Sequence, residues 1–210
     1  MKKQNKLLLS TYLFALVALG IGCKKKSSNE PIPQQTDSIG INGKQYPVVN
    51  IGNQQWTALN YSGPGGSSYN SSGDKPEYGK YYTFEEISAL QLPDGWKLPS
   101  RQDYLDLAQQ QGIIFTGNRA TSQEAIKKLA STSNWRSIPG TNASGFNAQP
   151  GGYCFQDGSP QDGDIAEFWT GEGITFSMQE GANGKTHNAS FYGDSNSPEY
   201  RFNARFVKIK

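Results

Sequence analysis

Residues 140–153, GTNASGFNAQPGGY, restrict the folds open to this chain more than any other stretch. They hold four glycines, two asparagines and one proline, with no His, Cys, Lys, Arg, Asp or Glu. Such a run has neither the period of an amphipathic helix nor the alternation of a half-buried strand. Gly145, Gly151 and Gly152 suit backbone that needs positive φ or packing too close for a Cβ. Asn142 and Asn147 can close turns through their own side chains. With no charged or nucleophilic group, the stretch reads as scaffold rather than ligand site. The rest of the chain must hold a long irregular segment in place.

Strand signals come first. The Asn42-Gly43 pair marks a hairpin. Residues 45–51 (QYPVVNI) and 54–59 (QQWTAL) read as strands around a Gly52-Asn53 turn. Residues 61–77 are rich in Gly, Ser, Asn and Pro, a long connection that reads as a mobile insertion. Residues 78–82 (YGKYY) are aromatic and expected to be half-buried. Capping-box patterns then open three expected helices, at Thr83, Ser100 and Thr121. Tyr104, Leu105, Leu107 and Ala108 form an apolar stripe that stops at Gly112, and Ala125, Ile126, Leu129 and Ala130 form another. After Trp135 the chain returns to short strand-like runs at residues 152–155, 166–170, 174–179, 187–192 and 200–210. Strands, then helices, then strands predict an α+β fold.

The first residues point to a compartment. Lys2, Lys3 and Lys6 precede an apolar run at residues 7–21, too short to span a membrane with ease. It ends in Leu19-Gly20-Ile21-Gly22-Cys23, which resembles a bacterial lipobox. Residues 1–22 are thus expected to be a cleaved signal peptide and Cys23 the lipidated first residue. Residues 23–38 form a polar tether too poor in apolar residues to build a core. One domain, residues 39–210, remains. The full chain is +2, but removing three leader lysines leaves −1. No basic stripe remains for a nucleic-acid partner.

An ordered series of motifs makes a family resemblance specific. Trp56, Tyr78-Gly79-Lys80-Tyr81-Tyr82 and Leu92-Pro93-Asp94-Gly95-Trp96-Lys97-Leu98-Pro99-Ser100 come first. Gly140-Thr141-Asn142-Ala143-Ser144-Gly145-Phe146, Pro150-Gly151-Gly152-Tyr153 and Ala204-Arg205-Phe206-Val207-Lys208 follow. The series resembles the Fibrobacter succinogenes major paralogous domain, found in bacterial surface lipoproteins. That family is similar to the C-type lectin-like fold, which implies paired terminal strands, two main helices and a loop-rich second half of short antiparallel strands. Relatives carry Cys where this chain has Leu92 and Phe206. The resemblance therefore implies that these two residues pack together in place of a disulfide.

Few residues offer chemistry. His187 is the only histidine, so any histidine-dependent mechanism must use it, and it reads as a surface or hydrogen-bonded residue. Once Cys23 is acylated, Cys154 is the one remaining thiol, too few for a disulfide within the chain or the usual zinc site. Formylglycine-generating enzymes, of related architecture, rely on paired thiols that this chain lacks. Asp157, Asp162, Asp164 and Glu167, with Gly158 and Gly163 in the turns, read as a solvated acidic loop. Their alternative is a Ca²⁺ site, the one cofactor considered. Against calcium, the spacing is not an EF-hand, and Gln149-Pro150-Gly151 lacks the acid with which sugar-binding C-type lectins hold the ion. Trp169, Phe176, Phe191 and Phe202 read as core. Tyr192 and Tyr200 flank a polar loop and, with Asp194, are the candidate ligand contacts.

These features predict a non-enzymatic recognition or adhesion module. It is anchored by lipid to the outer membrane, facing the surface or the periplasm, and binds a glycan or a protein. The alternative is a structural subunit of an envelope or fimbrial assembly with no small ligand.

Overall fold

The computed structural model describes residues 37–69, 75–155, 160–193 and 199–210. The leader, Cys23, most of the tether, Asp157 and Asp194 lie outside these residues. In chain order come β1 (Asp37–Ile41), β2 (Lys44–Ile51), β3 (Gln54–Thr57), β4 (Ser67–Ser68), β5 (Lys80–Tyr81), α1 (Phe84–Ser88), β6 (Trp96–Lys97) and α2 (Arg101–Gln110). β7 (Arg119–Gln123), β8 (Tyr153–Phe155), β9 (Pro160–Gln161), β10 (Ile165–Trp169), β11 (Thr175–Glu180), β12 (His187–Tyr192), β13 (Tyr200–Phe202) and β14 (Val207–Ile209) follow. Short 3-10 turns cover Pro76–Tyr78 and Glu124–Lys128. The described residues are mostly β, with two α-helices and several antiparallel sheets.

Both termini of the domain enter one sheet of order β1-β2-β3-β14-β6, and a second sheet has the order β10-β11-β12-β7. Asn42-Gly43 and Gly52-Asn53 make the hairpin turns the sequence predicts. Two of the three expected capping boxes close, Thr83 with Glu86 and Ser100 with Asp103. Helix α2 buries Tyr104, Leu107 and Ala108 against the main core.

The third expected helix does not form. Thr121 lies in β7, which pairs with β12, and only a 3-10 turn follows, without a side-chain cap. Ser122 has φ +53° and its N–H donates to Asn188 Oδ1 at 2.7 Å, so strand pairing captures the residues that would have opened the helix. Ile126, Leu129 and Ala130 are buried all the same. Two further expectations change. Tyr78, Tyr81 and Tyr82 are fully buried rather than half-buried. The described parts of the 61–77 connection are built into the fold: Tyr61 is core, β4 pairs with β5, and Lys80 Nζ donates to Gly63 O and Gly65 O.

The segment 140–153 is held as scaffold. Gly145 has φ +76°, and a Cβ on Gly152 (φ +62°) would lie 1.6 Å from Gln161 O. Asn142 Oδ1 accepts from Asn147 N at 2.8 Å. The main clamp is Arg205, which is wholly buried. Its guanidinium donates to Phe146 O (2.9 Å) and Asn147 O (3.0 Å) in the segment, and to Thr57 O (2.7 Å) at the end of β3 and Asn60 Oδ1 (2.6 Å) just after it. It also lies over the rings of Phe146 and Phe168, at 4.9 and 5.7 Å. Burial pushes its pKa down to about 9, so it stays cationic at neutral pH while facing only neutral acceptors.

A second apolar cluster gathers Tyr61, Tyr82, Trp169, Phe202 and the buried Phe206, with Leu92 half-buried against it. Lys208 of β14 pairs with Trp96 of β6, which seats the last strand beside the turn that precedes Trp96.

Candidate functional site

Alternation along three strands gives the second sheet two unlike faces. On the inner face Ala166, Met178, Ala189 and Ala120 stand in one cross-strand row and Phe168, Phe176 and Phe191 in the next, all inside the main core. On the outer face the corresponding row is Glu167, Ser177, Ser190 and Arg119, with an acid at one end and a guanidinium at the other. Beside it run Ile165, Gln179 and Asn188 on one side, and Trp169, Thr175 and Tyr192 on the other. The row crosses three strand gaps of about 4.8 Å, so its backbone spans roughly 14 Å.

Two depressions occupy this face, and Tyr192 lines both. One, of about 210 Å³, is formed by Arg119, Thr121, Ser177, Gln179, Asn188, Ser190 and Tyr192. The other, of about 330 Å³, forms where Tyr153 of β8 and Tyr200 and Phe202 of β13 stand against Ile165, Glu167, Tyr192 and Gly193. Small hydroxyl and amide side chains thus continue into an aromatic cavity with a carboxylate in its lining. Tyr192 is 40% exposed, whereas Glu167 is 6% exposed and accepts a hydrogen bond from Thr175 Oγ1 at 2.5 Å. Burial pushes Glu167 up to about 7 against the weaker opposing effect of that bond. Burial first, and the Glu167 carboxylate next, raise Tyr153.

Tyr192, Tyr200 and Glu167, singled out in the sequence for different roles, share one cavity. Asp162 and Asp164 are held elsewhere. Asp162 accepts from Lys75 Nζ at 3.0 Å and Tyr69 OH at 3.3 Å, and Asp164 pairs with Arg136 at 3.3 Å. Among the described residues no three His, Cys, Asp or Glu side chains are grouped to hold a metal. His187 is fully buried in β12, not at the surface. It packs edge-on to Trp135 at 4.5 Å, neither ring nitrogen has a hydrogen-bond partner among the described residues, and burial pushes it down to about 4. Cys154 is buried in β8. Trp169, Phe176, Phe191 and Phe202 are core, as their alternation predicts.

Sequence reasoning missed Ser177, Ser190, Gln179, Asn188 and Arg119. The strand runs TFSMQE and HNASFY carried the signal, since every second residue is polar. Arg119 had none, because β7 was hidden by a helix-start pattern.

The outer face of the second sheet thus carries a polar groove flanked by aromatic side chains. The chain belongs to the Fibrobacter succinogenes major domain family, whose sequence profile matches residues 49–208. No curated protein and no solved structure matches it.

Proposed function

We propose that the protein is a non-enzymatic recognition module that binds a glycan along the outer face of the second sheet. The observation that carries this reading is the row of Glu167, Ser177, Ser190 and Arg119 flanked by Tyr192. Sugars present hydroxyls to short polar side chains and apolar ring faces to aromatics, and this groove offers both. The module is tethered to the cell envelope through acylated Cys23. Its fold is of the C-type lectin-like kind, a reading supported by the terminal strands sharing one sheet and by the long clamped segment 140–153.

Glycan-array binding by the purified chain tests this. Saturable binding that is lost in a Tyr192→Ala, Tyr200→Ala double variant supports the module. A clean array together with one tight protein partner refutes it.

A further inference from the structure

The cavity at the Glu167 end of the groove has unusual chemistry for a neutral sugar site. Tyr153, Tyr192, Tyr200 and Phe202 line it, and among the described residues the only charged side chain in its lining is Glu167. Buried carboxylates are normally paired with a cation, because an isolated buried charge is costly. Glu167 instead accepts a bond from the neutral Thr175 hydroxyl. The other acid that acts on Tyr153 is Asp164, which is already paired with Arg136. Among the described residues, the remaining titratable groups in the cavity lining are the phenols of Tyr153, Tyr192 and Tyr200. Aromatic faces attract cations, and more strongly away from water. A space of about 330 Å³ is enough for a sugar-sized group.

We propose that this cavity receives the protonated amine of an amino sugar, with Glu167 as counter-ion and the tyrosine rings around it. The inference rests on the reading of the groove as a glycan site and specifies its ligand class: saccharides with an unblocked amine. Neutral hydroxyls of the same chain lie along Ser177, Ser190 and Asn188. An N-acetyl group has no charge to offer and leaves Glu167 without a cation. A carboxylated sugar brings like charge to it.

Binding is then linked to the proton on Glu167. In the free protein the carboxyl titrates near neutrality (about 7), and an ammonium favours its ionised form. Association therefore releases a proton at mildly acid pH. For a quaternary ammonium, which has no proton of its own to lose, affinity rises between about pH 6 and about pH 8.

The test is calorimetry on the full chain in detergent. The probes are a glucosamine trimer, an N-acetylglucosamine trimer, a glucose trimer, tetramethylammonium and a lysine tripeptide. The glucosamine trimer is expected to bind about tenfold or more tighter than either neutral trimer. Glu167→Gln should abolish that preference while keeping residual binding of the neutral trimers. Tyr192→Leu, which removes one exposed ring, should weaken amine binding several-fold and serves as a second variant should Glu167→Gln fail to fold. Equal affinity for all three trimers overturns the amine site and leaves the glycan reading standing. Glu167-dependent binding of the lysine tripeptide without any trimer overturns the amino-sugar assignment and the glycan reading with it. Absence of binding by every probe overturns the amine site, and the glycan reading then stands or falls on the array.

Discussion

Replacing Arg205 by methionine removes the clamp on residues 140–153 at nearly constant volume. Four acceptors lose their donor: Phe146 O, Asn147 O, Thr57 O and Asn60 Oδ1. Each buried acceptor left unpaired costs about 1–3 kcal/mol, a gross loss of roughly 4–12 kcal/mol. Removing a wholly buried guanidinium returns its desolvation penalty, on the order of several kcal/mol. The net expected loss is about 3–5 kcal/mol, a large share of the roughly 5–15 kcal/mol that holds a domain folded. Urea unfolding followed by tryptophan fluorescence should show a midpoint lower by about 1–5 M, since slopes are about 1–3 kcal/mol/M. Hydrogen exchange should loosen first at the amides of residues 144–149. Arg205→Lys should recover less than half, because one ammonium cannot fork to acceptors on both sides. A methionine variant as stable as the parent refutes the clamp, and full rescue by lysine refutes the role of the fork.

Four other outcomes are expected. His187 has a folded pKa of about 4 against an ordinary 6.5, so its contribution is complete above 6.5 and is lost as pH falls through about 4. His187→Phe should flatten that part of the stability–pH curve, and an unchanged acid limb contradicts the burial argument. Phe206→Ala should cost about 3–5 kcal/mol by the cavity it leaves, measured by urea unfolding. Leu92→Cys with Phe206→Cys should oxidise to a disulfide, detected as two thiols lost in a titration under denaturing conditions; persistence of both thiols rejects the pairing. Cys23→Ser should release the protein from membranes on fractionation, and a cleaved yet membrane-bound variant rejects the lipid anchor.

Local signals decided the hairpin turns, the two capped helices and the buried aromatic set, because turn chemistry, caps and apolar period act over a few residues. Asn42-Gly43, Thr83 with Glu86, and Ser100 with Asp103 are of this kind. The family was legible because its motifs recur in a fixed order, whatever their contacts. Thr121 shows the limit: a helix-start pattern gave way to β12, whose pairing no local rule can weigh. Registry between strands distant in sequence brought Glu167 level with Ser177, Ser190 and Arg119, and the packing of β8 and β13 set Tyr153 and Tyr200 over Glu167. Likewise, the sequence alone shows that residues 140–153 need support, but Arg205, about sixty positions away, becomes their clamp only when β14 closes the first sheet. Chain patterns select conformations near at hand; which side chains share a buried space depends on long-range pairing, and only the tertiary structure decides it.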